Sequence, residues 1–402
     1  MKILMLGWEL PPNNSGGLGV ACYSLCQALS RSQVDIEFIV PYLGHHSADF
    51  MTVTASQPAG VKVFREGGSA YDSYKYVFSD GRQQSFGIFE QQKIFEESIA
   101  STTEGKAFDI VHAHDWLTFR AALRLKEERG CPIVLHVHSI ESDRAGGKPG
   151  NPLVHEIEAT SLNLADKVVA VSQFTKDSII RDYNIPPDKI EVVHNKINLN
   201  QIEPLDSENA YHYLSAMRAQ GYRIIVNIGR LTIQKGLNNL LQAFKDVVAY
   251  EPKTLLLIVG AGELHYELLE MSADLGISRN VIFTGFLRGK AWRDAYAIGD
   301  LFVLPSVSEP FGLTPLEAIG YQTPVLVSRQ SGVSEVLKHC LKVDFWDTKE
   351  MTNKIVSVVR SDALRQNLQA NAVQEVSSQS WDQAADKLLA VYRRALNAGV
   401  AV

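Results

Sequence analysis

The chain has 402 residues, too many for one ordinary hydrophobic core, so two domains are expected. Its 46% hydrophobic and 21% charged content is that of a soluble globular protein, and a net charge of -6 argues against a dedicated nucleic-acid binder, which would be basic. Four scattered cysteines, Cys22, Cys26, Cys131 and Cys340, form no Cys-x-x-Cys pair, which argues against a disulfide framework and fits reduced thiols in a cytoplasmic protein.

Met1 to Gly7 is apolar only until Trp8, Glu9, Pro11 and Pro12 interrupt it, so it reads as a first strand (Ile3 to Leu6) and not as a leader. No apolar run approaches the ~20 residues that span a bilayer, so any membrane contact is expected to be peripheral. Glu9 to Gly19 is a loop rich in Pro, Asn and Gly, Val20 to Ser30 has helical spacing, and Asp35 to Val40 is a second strand. This is a βαβ unit with glycines in its first crossover. Short strands follow near Val61 to Phe64 and Tyr74 to Val77, with a helix near 90 to 102. Strands at Phe108 to His114, Pro132 to His138, Lys167 to Val171 and Ile190 to Val193 alternate with helices at 116 to 129, 151 to 164 and Phe174 to Asp182. The pattern predicts one doubly wound parallel sheet.

Residues 194 to 221 read as a linker with a short helix at 208 to 219. The alternation then restarts. Strands are expected at Arg223 to Ile228, Thr254 to Val259, Val281 to Thr284, Leu301 to Leu304 and Pro324 to Val327. Helices are expected at Leu237 to Val248, Leu264 to Leu275, Trp292 to Ala297, Thr314 to Tyr321 and 331 to 338. Three more helices close the chain, the last with Trp381, Ala384, Leu388, Tyr392 and Leu396 on one apolar stripe. The fold class is α/β, with two Rossmann-like domains, and ligands are expected at the carboxyl edges of the sheets, in a cleft between the halves.

Three stretches carry chemistry. The strand Leu301 to Leu304 runs into Ser308-Glu309-Pro310-Phe311-Gly312-Leu313-Thr314-Pro315, with Glu317 placed to complete a capping box from Thr314. Free amides at such a helix start accept an anion. Glu309 and Glu317, separated by seven residues, suit neutral hydroxyls. Arg230 and Lys235 lie in the first βα loop of the second half, where a guanidinium fork and an ammonium can neutralise a diphosphate. Gly16-Gly17-Leu18-Gly19 lies in the first loop of the first half and permits close backbone approach, but it is not a dinucleotide fingerprint. Gly260 to Glu263 and Thr284-Gly285-Phe286 are placed to wall a nucleoside. Two His-x-His pairs, His112 with His114 and His136 with His138, each share a strand face. A metallohydrolase is one reading of them; one imidazole donating to a sugar or phosphate is the preferred one, with no metal.

On these residues the chain resembles the retaining GT-B glycosyltransferases of family 4 over nearly its whole length. Ser308 to Leu313 through Glu317-Ala318 matches that family's pair of glutamates, and Gly229-Arg230, Lys235-Gly236, Gly16-Gly17-Leu18 and Val168 to Ser172 with Phe174 agree. Val111 to Trp116 and Val137-His138-Ser139 lean toward glycogen and starch synthases. The counterpart of Glu317 is often lacking in bacterial glycogen synthases, so family 4 fits better; Lys196 after Asn195, where the usual pair is Asn-Gly, and Ser139, where the synthases tend to have Asn, are further departures.

The resemblance implies a GT-B architecture with a donor domain at 201 to 375 and an acceptor-side domain at 1 to 200, the segment 376 to 402 crossing back to the first domain. It implies that Gly16 and Gly17 approach the donor, that His138 contacts its sugar, and that Asp115 lies near the transfer site. Arg230 and Lys235 would hold the diphosphate. Phe311, Gly312, Leu313 and Thr314 would line the phosphate and sugar, Gly285 the nucleoside, with Glu309 on the sugar and Glu317 on the ribose. The expected activity is transfer of a hexose, glucose first, from a nucleotide diphosphate sugar to a saccharide-type acceptor, with retention and without a cofactor or metal. The alternatives are a family-4 transferase acting on a small sugar, sugar phosphate or lipid, and a sugar-nucleotide epimerase of the same fold. A metal-dependent hydrolase and a non-catalytic nucleotide-sugar binder are the more distant ones.

Overall fold

A computed structural model describes residues 1–14, 16–46, 48–66 and 74–398. Ser15 of the glycine loop and residues 399–402 of the C-terminal segment lie outside the described residues. The chain forms two compact units. The first comprises Met1–Glu141, Asn151–Lys196 and Trp381–Val402; the second comprises Ser142–Gly150 and Ile197–Ser380.

The strands are, in chain order, β1 (Lys2–Leu6), β2 (Asp35–Val40), β3 (Thr52–Ala55), β4 (Val61–Arg65), β5 (Tyr74–Phe78), β6 (Gln83–Ser85), β7 (Ile110–His114), β8 (Ile133–Val137), β9 (Lys167–Ala170), β10 (Ile190–Val192), β11 (Arg223–Ile228), β12 (Thr254–Val259), β13 (Val281–Gly285), β14 (Leu301–Leu304), β15 (Val325–Ser328) and β16 (Leu341–Val343). The first unit holds a parallel sheet in the order β10-β9-β8-β7-β1-β2-β3 and an antiparallel ribbon β4-β5-β6. The second holds a parallel sheet in the order β13-β12-β11-β14-β15-β16. Both are doubly wound, because strand order runs outward from β1 and from β11 in two directions.

Central strands are mostly apolar runs, with histidines on one face of β7 and β8 as the exception. Every residue of β7, β8, β12, β14 and β15 is buried, as parallel strands covered on both faces require. Local signals set the helix starts. Asn151 accepts from the Leu153 amide and Pro152 opens the helix Pro152–Leu164; Ser172, Asp347 and Ser361 cap three more helices through their side chains.

Three elements escape the sequence pattern for physical reasons. β3 is Thr-Val-Thr-Ala at a sheet edge, four residues with none buried; β6 is wholly exposed; β16 has three residues, below the length a periodicity resolves. The helix Gly17–Ser30 begins three residues earlier than its apolar spacing predicts, so Gly17, Leu18 and Gly19 form its first turn. The predicted cap at Thr314 is corrected. The helix Thr314–Gly320 has Leu313 as its N-cap, with no side-chain cap bond, so Thr314 and Pro315 are its first two residues.

The helix Trp381–Ala398 packs in the first unit against Gly17–Ser30 and β8. Its apolar stripe is wider than one residue per turn: Ala385, Leu389, Val391 and Ala395 are buried beside Ala384, Leu388 and Tyr392. Among the described residues no helix is long and apolar enough to cross a membrane. Because Leu388 has no exposed surface, Leu388→Ala is expected to cost about 2–5 kcal/mol of first-unit stability. The exposed Arg393→Ala control should stay within about 0.5 kcal/mol. Chemical denaturation measures both, and equal effects would contradict this packing.

Candidate active site

In the second unit, β11 and β14 end side by side and their loops meet. Gly236 has φ +63°, and a Cβ there would lie 2.2 Å from the Pro305 carbonyl oxygen, so only glycine lets the loop after β11 close on the end of β14. The closure brings Lys235 to Glu309: Nζ donates to Oε2 at 2.5 Å, and the Ser306 hydroxyl donates to the same oxygen at 2.9 Å. Glu309 is buried, so this ion pair is shielded from solvent. Two of the three Lys235 N–H donors and Glu309 Oε1 remain without partners among the described residues. Arg230, on the same loop, is exposed and has no carboxylate partner among them.

The loop after Glu309 is held from below. Gly312 has φ +96°, where a Cβ would press to 3.2 Å on Glu309 Cγ and Leu304 Cδ2. The amides of Gly312 and Leu313 meet no protein acceptor among the described residues. Phe311, between Glu309 and Gly312, is buried, with 3% exposure. Ser308 donates to the buried Asp143, which ties the segment Ser142–Gly150 to this loop.

Glu317 departs from the capping role. Its Oε2 accepts a 2.7 Å hydrogen bond from the Tyr296 hydroxyl, across from the helix start. Tyr296 stacks on Tyr321 at 5.7 Å and is itself fully buried, so the carboxylate is aimed by an aromatic wall. Gly285 ends β13 at φ +74°, its carbonyl bonded to the Gly260 amide, and a Cβ there would meet nothing within 4 Å.

In the first unit, the glycine loop is organised by Glu9. This buried carboxylate accepts from the Gly19 amide at 3.3 Å and pairs with Arg65 at 3.3 Å. The packing demand for glycine falls on Gly19, where a Cβ would sit 2.8 Å from Asn14 Cβ; at Gly16 a Cβ would meet nothing within 4 Å among the described residues. Gly17 is the first residue of the helix.

β7 and β8 place His114 directly opposite His136, with His112 and His138 on the same face. His114 Nδ1 lies 3.0 Å from His138 Nε2, and His112 Nδ1 lies 2.7 Å from the Tyr392 hydroxyl. Burial pushes His112 and His138 down to about 3, so both rings are neutral. Asp115 follows β7 at φ 59°, ψ 166°, a region rarely entered except by glycine. Its carboxylate does not cap its own helix; Oδ1 accepts from the amides of His138 at 2.6 Å and Ser139 at 3.3 Å. Asp115 therefore fixes the chain that carries His138.

The sequence-predicted residues thus fall into two groups. Arg230, Lys235, Glu309, Gly312, Leu313, Thr314, Glu317 and Gly285 belong to the second unit; Gly16, Gly17, Asp115 and His138 belong to the first. Sequence reasoning missed Ser306, Tyr296, Glu9, Arg65 and Asp143, which position the others. A serine three residues before Glu309 was the one local signal; the rest are long-range partners.

Residues 15–201 match the Glycosyltransferase Family 4 model and residues 216–375 match the Glycosyl transferases group 1 model. The chain belongs to the GT-B glycosyltransferases of family 4. It is 29% identical to an uncharacterized glycosyltransferase of Methanocaldococcus jannaschii, covering 98% of this chain and 99% of that one. It is 26% identical to glycogen synthase of Mycobacterium tuberculosis, covering 84% and 80%. Sucrose-phosphate synthase of Thermosynechococcus elongatus superposes with a TM-score of 0.77 over 99% of both chains at 18% identity.

Burial raises the Glu317 carboxyl above its ordinary value of 4.5, and the Tyr296 hydrogen bond offsets part of that. A raised carboxyl pKa makes folding take up a proton, so this group favours the folded state most below pH 4.5 and less as pH rises through the folded value. Glu317→Gln is expected to raise Tm at pH 7, the gain shrinking as pH falls toward 4.5. Calorimetry over a pH series checks this; a gain that grows on acidification contradicts it.

Proposed function

We propose that this glycosyltransferase moves a hexose, glucose first, from a nucleotide diphosphate sugar to an acceptor hydroxyl with retention of configuration. The observation that carries the reading is the cation pair after β11: an exposed, unpartnered Arg230 beside a Lys235 that Glu309 holds in place. A fork and a point charge at one strand end suit a diphosphate leaving group. Glu309 keeps the ammonium aimed while leaving its other N–H groups for phosphate oxygens. The amides of Gly312, Leu313 and Thr314 add donors where leaving-group charge develops.

In this reading the acceptor attacks from the face that the diphosphate leaves, while the sugar is oxocarbenium-like. The departing phosphate takes the acceptor proton, so no protein nucleophile is needed. Glu309 Oε1 faces the sugar and steadies its positive charge. Glu317 binds the ribose, oriented by Tyr296. His138, neutral and held through Asp115, donates to the sugar. Arg230 and Lys235 supply the counter-charge, so no metal is placed on the diphosphate. The acceptor is a saccharide, in keeping with the glycogen synthase among the relatives. The free thiols suit a cytoplasmic setting.

A panel of nucleotide sugars in a thermal-shift assay should stabilise the protein, by about 2.7 kcal/mol at a hundred times Kd. Acceptor-dependent nucleotide release with the same donor should then fall about a hundredfold or more in Lys235→Ala and in Glu309→Ala. No shift with any nucleotide sugar, or full activity in both variants, refutes the proposal. A changed nucleotide sugar without acceptor would point to an epimerase instead.

A further inference from the structure

The histidine face of the first unit holds more polar atoms than its hydrogen bonds use. His112, His114 and His136 have at most 1% exposure. Nε2 of His112, Nε2 of His114 and both nitrogens of His136 are buried without a hydrogen-bond partner among the described residues. A neutral imidazole carries one N–H, so His136 buries a donor and an acceptor together, an arrangement that native interiors rarely tolerate. These rings come from the same two adjacent strands, and one nitrogen from each lies within 4.8 Å of the others.

The partners on the far side of two rings are compatible with the tautomer a metal ligand needs. His112 Nδ1 faces the Tyr392 oxygen at 2.7 Å, and His114 Nδ1 faces His138 Nε2 at 3.0 Å. Each partner can accept an N–H from Nδ1, which leaves a lone pair on each buried, unpartnered Nε2. An imidazole held from behind by an acceptor, with its other nitrogen bare, is the usual arrangement of a ligating histidine. A second cluster, Cys22 with His114 and His138, shares His114, but there the two rings are already bonded to each other. The first trio is therefore the site.

We propose that His112, His114 and His136 bind one divalent late first-row metal ion, zinc by its preference for three imidazoles. The ion satisfies three orphaned nitrogens at once and links β7 to β8. Through His112 and Tyr392 it also anchors the helix Trp381–Ala398. It fixes the His114 proton toward His138, so its role is positional and separate from the diphosphate chemistry.

The full chain should be expressed in zinc-supplemented and in metal-depleted medium, and its metal content measured by plasma mass spectrometry. About one zinc per chain is expected in the first preparation, with a higher Tm than in the second. Cobalt supplied in place of zinc should give visible d–d bands of nitrogen coordination. His136→Leu should lose the metal and the bands, and its Tm should no longer depend on zinc. Substoichiometric zinc with no Tm difference and no cobalt bands in the wild-type chain overturns the proposal. So does unchanged metal content in His136→Leu. Should His136→Leu fail to fold, the wild-type zinc content, Tm difference and cobalt spectrum decide alone.

Discussion

Both large sheets are parallel and covered on both faces, and that constraint governs where polar chemistry can sit. Interior strands are largely apolar, because a side chain on either face meets packed helices. Residues such as Val226, Leu257 and Phe302 satisfy this with no exposure at all. Apart from the histidines of β7 and β8, the polar groups of the candidate site sit at strand ends, where the backbone leaves the ladder. Glu309 and Arg230 follow β14 and β11, and Asp115 follows β7. The chemistry of this molecule is thus located by what the sheets exclude.

Within that limit, four of the candidate site's groups are each held by a hydrogen-bonding partner. Lys235 is held by Glu309, Glu309 by Ser306, Glu317 by Tyr296, and the His138 amide by Asp115. Such pairs trade side-chain freedom for orientation before any ligand arrives. The strained backbone of Asp115 fits the same logic. A residue at φ 59°, ψ 166° costs on the order of 1–3 kcal/mol, and the amide bonds from His138 and Ser139 hold it there.

Much of the fold was legible because parallel strands are written as short apolar runs and their helices as stripes. The elements that escaped, β3, β6 and β16, are edge or exposed strands whose residues need not be apolar. The site was legible where one loop carries its own signal, as with Arg230, Lys235 and Glu309. It was not legible where a contact closes across many residues. Tyr296 reads as a helix residue on any periodicity, and nothing local ties it to Glu317. The capping box from Thr314 failed for a related reason: Leu313 takes the N-cap position after the Gly312 turn, Thr314 is the first helical residue, and Glu317 is bonded to a phenol.

The two His-x-His pairs show the same limit most clearly. Period-two alternation puts each pair on one strand face, but not which strands are neighbours. The sheet order supplies that, setting β7 beside β8 with His114 opposite His136. Four imidazoles then share one face, in a layer where a valine would pack at no polar cost. Burial drives them neutral, which removes mutual repulsion but leaves lone pairs and N–H groups to satisfy. Tyr392 and the His114–His138 contact satisfy only part of that demand. A sheet interior that retains unsatisfied nitrogens on three rings has given up packing stability for a ligand or an orientation. The orientation of His138 is already secured through its backbone by Asp115, so the remaining imidazoles call for a ligand of their own.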